Sequence, residues 1–160
     1  MNLEMQFGAN NPILRKKSEN ITNINKETRE IVKYMEAELK YQDGMWLAAP
    51  QVGINLRLAI ITQRDVIKWK YIYKSSKTII NPEIIKHSES INDDREWCLS
   101  LPWKVWLIDR YDRVEISYQD TYGKTKTAKL KWVDARIVQH EIDHLDGILY
   151  IDKAKAIKPA

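Results

Sequence analysis

The chain has 160 residues, a formal net charge of +4 and a pI near 9.0, a length that folds by default as one domain, here spanning 1–160. No stretch approaches the roughly 20 consecutive apolar residues of a membrane span, and the N-terminus lacks the basic region and apolar core of a secretory signal. The lysines form no dense basic block, so no direct nucleic-acid or membrane site is expected. The single cysteine, Cys98, rules out an intramolecular disulfide and suits a reducing, cytoplasmic setting.

The first predicted element is an amphipathic helix from Lys26 to about Tyr41, capped by Asn25, with Ile24, Thr28, Ile31, Met35 and Leu39 on one side. The next segment, Asp43 to Gly53, is rich in small residues and contains Pro50, a composition that lets backbone approach a ligand closely. Leu56 to Thr62 reads as a buried strand, Lys77 to Ile80 as another, and Arg113 to Tyr118 with Lys124 to Leu130 as a hairpin around Tyr122 and Gly123. The lysine-rich stretches Lys68 to Lys77 and Lys124 to Lys131 alternate with Tyr, Thr and Ile, as solvated strand faces do. A last helix, capped by Asp134 and stopped by Gly147, carries Ile137, Val138, Glu141, Ile142, Leu145 and Ile148 as an apolar stripe. Strands precede this helix, so the class is α+β.

On that last helix residues 140 to 144 read His-Glu-Ile-Asp-His. Side chains at i and i+4 lie above one another on one helical face, so His140 and His144 can hold one cation between them. A divalent metal lowers the pKa of a coordinated water to about 7, and Glu141 beside the pair can take and return the proton. The pattern points to metal-dependent hydrolysis. Chance pairing on a solvated helix is the competing explanation, but two of the three histidines of the chain fall here beside a glutamate. Cys98 is a candidate ligand or nucleophile on the same grounds, against a buried inert thiol.

Three segments together resemble the peptide deformylase family: Gly44-Met45-Trp46-Leu47-Ala48-Ala49-Pro50-Gln51, Glu96-Trp97-Cys98-Leu99-Ser100 and Gln139-His140-Glu141-Ile142-Asp143-His144-Leu145. The likeness runs from Asn11 to Asp152. It implies antiparallel or mixed β-sheets packed around a central metal-binding helix, with Cys98 as third ligand beside His140 and His144. It implies removal of the formyl group from the N-terminal formylmethionine of nascent polypeptides, with Glu141 as general base and then general acid. Gln51, through its side-chain amide, and Leu99, through its backbone N–H, would stabilise the oxyanion, and Asp143 would support the helix. Substrate would lie extended along Gly44, Met45 and Trp46, close to Trp97, with its methionine side chain near Leu99 and Ile137. Ferrous iron is the expected native metal, with zinc or nickel as substitutes, and transient proximity to the ribosome is expected. The short ending, Lys153 to Ala160, leaves little room for a C-terminal helix that makes that contact.

Where the family pattern has glycine, this chain has Trp46, Trp97, Trp103, Trp106 and Trp132. Glycine is scarce, 5 of 160 or about 3%, against a usual value near 7%. The 5 glycines and 6 tryptophans together are 11 of 160, again about 7%. One explanation is that UGA is read as glycine in the source, as some bacterial lineages do, and as tryptophan in this translation; Trp69 would then share that origin. If the indoles are genuine, those at 46 and 97 are expected to fill the substrate groove or push the cysteine ligand aside, leaving a catalytically impaired, deformylase-like binding protein. A zinc endopeptidase is a further alternative, though nothing after Asp152 offers its third ligand.

Overall fold

Helix α1 spans Lys26–Tyr41, as the sequence predicts. Asn25 Oδ1 accepts the Thr28 N–H at 3.0 Å while Thr28 Oγ1 accepts the Asn25 N–H at 3.4 Å, a reciprocal cap that satisfies donors left over at a helix start. Thr28, Ile31, Val32, Met35 and Leu39 form its buried face. The computed structural model describes residues 3–42, 44–67 and 70–154. Asp43, Lys68 and Trp69, and the side chain of Trp103, lie outside the described residues.

Strands follow as β1 (Trp46–Ala48), β2 (Leu58–Ile67), β3 (Lys70–His87), β4 (Ile91–Cys98), β5 (Leu101–Tyr111), β6 (Arg113–Gln119) and β7 (Thr125–Lys131). Five of them make one sheet in the order β1-β2-β3-β6-β7, and β4 pairs with β5 alone. Every pair among the described strands is antiparallel, so the mixed alternative falls away; short connections impose this direction on β2–β3, β4–β5 and β6–β7. The predicted hairpin is β6 and β7, with Gly123 at φ +79° in its turn. The lysines of Lys124–Lys131 are exposed on the edge strand β7, where they also discourage pairing with another chain. β2 and β3 run beyond the predicted Leu56–Thr62 and Lys77–Ile80, because strand pairing continues past the apolar residues that mark the core half.

Helix α2 spans Trp132–Leu145, and its residues from Ala135 to Leu145 are all buried. The predicted cap at Asp134 is corrected: the N-cap is Lys131, without a side-chain cap bond, and Asp134 lies in the first turn. The reversal from β7 into α2 is instead made by backbone, with the Trp132 N–H donating to Asp112 O at 2.7 Å and Trp132 itself at φ +54°. That left-handed conformation costs a residue with a Cβ about 1–2 kcal/mol. At the far end Gly147 sits at φ +73°, and a Cβ there would lie 2.5 Å from Arg15 O; the predicted stop therefore needs glycine on both counts.

Ala135, Val138, Ile142 and Leu145 of α2 pack with Ala48, Ala59, Ile79, Val114 and Ile116 of the large sheet. Burial of a side chain such as Leu145 is worth about 1.5–3 kcal/mol. Ile148, the last residue of the predicted stripe, lies beyond the helix and is half-buried. On the other side Cys98, Leu101 and Ile108 of the β4–β5 hairpin cluster with Leu14, Leu149 and Tyr150. The helix is thereby clamped between the two sheets, which gives its polar side chains a fixed position.

Candidate metal centre and active site

Four elements meet around one turn of α2. Cys98 ends β4 and pairs across the strand with Leu101, so Leu99 and Ser100 form the turn of a tight hairpin. His140 and His144 project from α2 toward the Cys98 end of this hairpin. Gln51 comes from the 3-10 turn Ala49–Val52, where Pro50 at its start presets the backbone. The donor atoms of Cys98, His140 and His144 all lie within 4.8 Å of one another, and all three residues are buried. Cys98 Sγ is 3.2 Å from His144 Nε2, close to the roughly 3.5 Å that separates two ligands of one tetrahedral zinc-sized ion.

The partners of each atom say which nitrogen is available. His140 Nδ1 lies 2.9 Å from Glu96 Oε2, and a carboxylate there holds the proton on Nδ1, leaving the Nε2 lone pair for a cation. His140 Nε2, His144 Nδ1 and both Glu141 oxygens are buried without a hydrogen-bond partner. Native proteins seldom leave buried polar atoms unpaired unless an ion, a water or a reaction uses them. The donor set, one thiol and two imidazoles with a carboxylate beside them, fits a divalent transition metal.

Electrostatics agree. Burial pushes the Cys98 thiol up to about 12 in the bare protein, against the lowering effect of the Ser100 and Leu101 backbone; a bound cation supplies the charge that removes this proton. Burial keeps His144 well below the ordinary imidazole value, with the charges of His140 and Arg110 adding to the effect, which favours the neutral form that a metal site needs. Burial raises the Glu141 carboxyl well above its ordinary value and the Glu96 charge raises it further. A carboxyl so placed is poised to carry a proton rather than only a charge.

Behind the histidines stands a buried ion network of which the sequence reading named only Asp143 in a role. Glu96 accepts from Arg110 Nε and Nη2 at 2.9 Å each and from Arg136 Nη1 at 2.8 Å. Burial alone would raise the Glu96 carboxyl, but the hydrogen bonds from Arg110 and His140 outweigh it and hold it far below the carboxylate range. Arg110 continues to Asp143, which also accepts from Lys153 Nζ at 2.7 Å. Asp143 thus ties α2 to β5 and to the chain after the helix. Tyr150 stacks on His140 with ring centroids 5.7 Å apart. Arg136 stands four residues before His140, so the i, i+4 spacing could have placed it beside the site.

Gln51 Oε1 accepts the Ala48 N–H at 2.8 Å, and its Nε2 donates to Ser100 Oγ at 3.2 Å and Cys98 Sγ at 3.3 Å. Its amide is therefore fixed against the metal-ligand cluster. Leu99 reaches back toward Gly44, whose Cβ, if present, would lie 3.1 Å from Leu99 Cδ1. Met45 O accepts from the Thr62 N–H at 2.9 Å, anchoring the start of β1 on β2. Trp46 lies edge-on to His140 at 6.4 Å, and Trp97 lies 5.7 Å from Trp46. The expected displacement of the cysteine ligand does not occur: the two indoles pack on each other, and Cys98 stays within reach of both histidines.

Residues 7–160 match the family model for polypeptide deformylase. A peptide deformylase of Picosynechococcus is 35% identical over 153 residues, 96% of this chain and 79% of the relative; that of Dictyoglomus thermophilum is 38% identical over 89% of this chain and 87% of its own. The crystal structure of peptide deformylase from Thermotoga maritima superposes with a TM-score of 0.86 at 31% identity, covering 98% and 99% of the two chains. A Met-Ala-Ser-bound deformylase from Acinetobacter baumannii superposes with a TM-score of 0.86 at 26% identity over 96% and 98%. These relatives lend no support to the endopeptidase or the non-catalytic reading.

Proposed function

We propose that this chain, which belongs to the peptide deformylase family, hydrolyses the formyl amide of N-terminal formylmethionine on nascent polypeptides, with the Cys98, His140 and His144 cluster as its centre. The observation that carries this reading is the unpartnered Glu141 carboxylate, buried beside three metal-type donors. Cys98 Sγ and the Nε2 atoms of His140 and His144 would hold one divalent ion, natively ferrous iron with zinc or nickel as substitutes, which supplies Lewis acidity and makes water more acidic.

Glu141 takes the proton from the water that attacks the formyl carbon, and returns it to the departing amine when the C–N bond breaks, so formate and a free N-terminus result. The Gln51 amide and the Leu99 N–H donate to the oxygen that becomes negative in between. Glu96 fixes the tautomer of His140, and Asp143 fixes the helix. β1 is the last strand of the large sheet, and a peptide pairs with its outer edge along Gly44, Met45 and Trp46, passing Trp97. The methionine side chain enters the apolar wall made by Leu99 and Ile137. The formyl group, one carbon smaller than acetyl, suits a centre whose three donors are all buried. The fold works as one domain in the cytoplasm, in transient proximity to the ribosome; no helix among the described residues is long and apolar enough to cross a membrane.

The test is formate release from formyl-Met-Ala by anaerobically purified protein, with metal content measured on the same sample. Glu141→Ala should keep the metal and lose activity by about 100- to 10,000-fold. Equal activity in that variant would refute the assigned mechanism.

A further inference from the structure

We infer that the polypeptide made in its own cell carries glycine, inserted at UGA codons, at positions 46, 97 and 132, and that the groove beside His140 is consequently open. Backbone geometry is the first ground. Among the described residues six have positive φ: four are Gly8, Gly53, Gly123 and Gly147, and the others are Asn81 and Trp132. Asparagine is the usual exception to the glycine rule, and Asn81 uses its side chain for three hydrogen bonds, to Ile21 N, Ile21 O and Gln119 Oε1. Trp132 has no such reason. Its indole is 67% exposed and meets only the Lys131 ammonium among the ring contacts described, 5.0 Å away. A bulky residue there is an outlier that needs explaining, and a glycine removes the need.

The groove is the second ground, independent of the first. Trp46 is the first residue of β1, on the outer edge of the large sheet, and Trp97 is the neighbour of Cys98. Their rings lie 5.7 Å apart, with Trp46 at 6.4 Å from the His140 ring, and Trp97 is 42% exposed. The two indoles thus occupy the approach that an extended peptide needs to bring its first residue to the buried donors. Neither serves the ion network or the Cys98, His140 and His144 cluster. Composition is the third ground, since the 5 glycines fall short by about the number of tryptophans present. Trp106, by contrast, packs against the apolar cluster of Leu101 and Ile108, so the structural argument is carried by 46, 97 and 132. The claim about the groove, and with it the assignment of 46 and 97, rests on the deformylase reading; the assignment of 132, made on backbone φ, does not.

The deciding measurement is the mass of tryptic peptides from protein isolated from its source organism. Cleavage at the lysines and arginines of the chain isolates residues 41–57, 96–104 and 132–136, which contain one each of the three positions. Glycine at 46, 97 and 132 in the fragment spectra of these peptides, from codons that read UGA, is expected, position 97 being read apart from Trp103 in the same peptide; tryptophan at any of the three, or UGG codons there, overturns the inference whatever the activity of the enzyme. Recombinant protein supplies a second readout. Trp132→Gly should raise Tm by about 2–8 °C, and Trp46→Gly with Trp97→Gly should raise kcat/KM for formyl-Met-Ala at least tenfold. A Trp132→Gly protein that melts lower than its parent overturns the assignment of 132 as a glycine position. Glycine masses together with no formate release would retain the inference on residue identity and reject the deformylase reading.

Discussion

His140 Nδ1 and Glu96 Oε2 lie 2.9 Å apart, and the same carboxylate is gripped by Arg110 and Arg136. One buried carboxylate therefore orients His140 and hydrogen-bonds two guanidinium groups, with Asp143 as the second negative charge on Arg110. Glu96→Gln keeps an oxygen for His140 but removes the charge. It should weaken metal binding about 10- to 100-fold, read by competition with a chelator. It should also lower stability by about 3–5 kcal/mol, because Arg110 is left buried with half its compensation. An unchanged metal affinity would mean that α2 packing alone orients His140.

Gln51 is held by three contacts, the Ala48 N–H, Ser100 Oγ and Cys98 Sγ, so its amide is fixed beside Cys98. One of its two N–H donors turns from these partners when it serves a substrate oxygen. Removing a donor that acts on the developing oxyanion lowers kcat about 100- to 1,000-fold. Gln51→Ala should show that loss in kcat with KM nearly unchanged. It also strands the buried Ala48 N–H, at about 1–3 kcal/mol of stability. A loss confined to KM would reassign Gln51 to ground-state binding.

The parts of the architecture that were legible in the sequence are those where periodicity coincides with hydrophobicity. Helix α1 reads clearly because its buried residues repeat at helical spacing and Asn25 caps it. The β6–β7 hairpin reads clearly because Gly123 marks its turn. Strand β4 is not legible because its inward-facing residues are Glu96 and Cys98. Its alternation therefore carries no apolar signal. The site divides in the same way. His140 and His144 reveal themselves by local spacing, whereas Cys98 needed the family likeness. Arg110 is 14 residues from Glu96 and 33 from Asp143, so no local pattern foretells that these charges neutralise one another. The start of α2 was misplaced at Asp134 because backbone at Trp132, rather than a side-chain cap, makes the turn.

Arg15 and Asp152 join the segment before α1 to the turn after α2. Burial would raise the Asp152 carboxyl, but the hydrogen bonds from Arg15 and the Leu149 N–H outweigh it and hold it below its ordinary value. A carboxyl whose folded pKa is depressed adds stability above its unfolded pKa, near 3.9, and loses that contribution as pH falls through the folded value. Asp152→Asn should therefore melt below the parent at pH 7 and converge with it as pH falls below about 4. The pair is 32% and 39% exposed, so water screens it and the difference at neutral pH should be about 1 kcal/mol or less. A gap that widens on acidification would contradict the depressed pKa.

Asn81 tests how much a left-handed residue inside a strand depends on its side chain. It sits at φ +50° in β3, where the register to β6 shifts between Ile80 and Glu83. Its amide bonds both Ile21 N and Ile21 O at 2.9 Å and Gln119 Oε1 at 2.8 Å. Asn81→Gly relieves the backbone but removes all three bonds, each worth about 0.5–1.5 kcal/mol net. Asn81→Ala removes them and keeps a Cβ in the left-handed region, at about 1–2 kcal/mol more. Both variants should be less stable than the parent in urea, with alanine the worse by that margin. Equal stability of the two would show that the strand relaxes at position 81 once the side chain is gone. The segment carrying Ile21, rather than backbone strain, would then account for the whole cost.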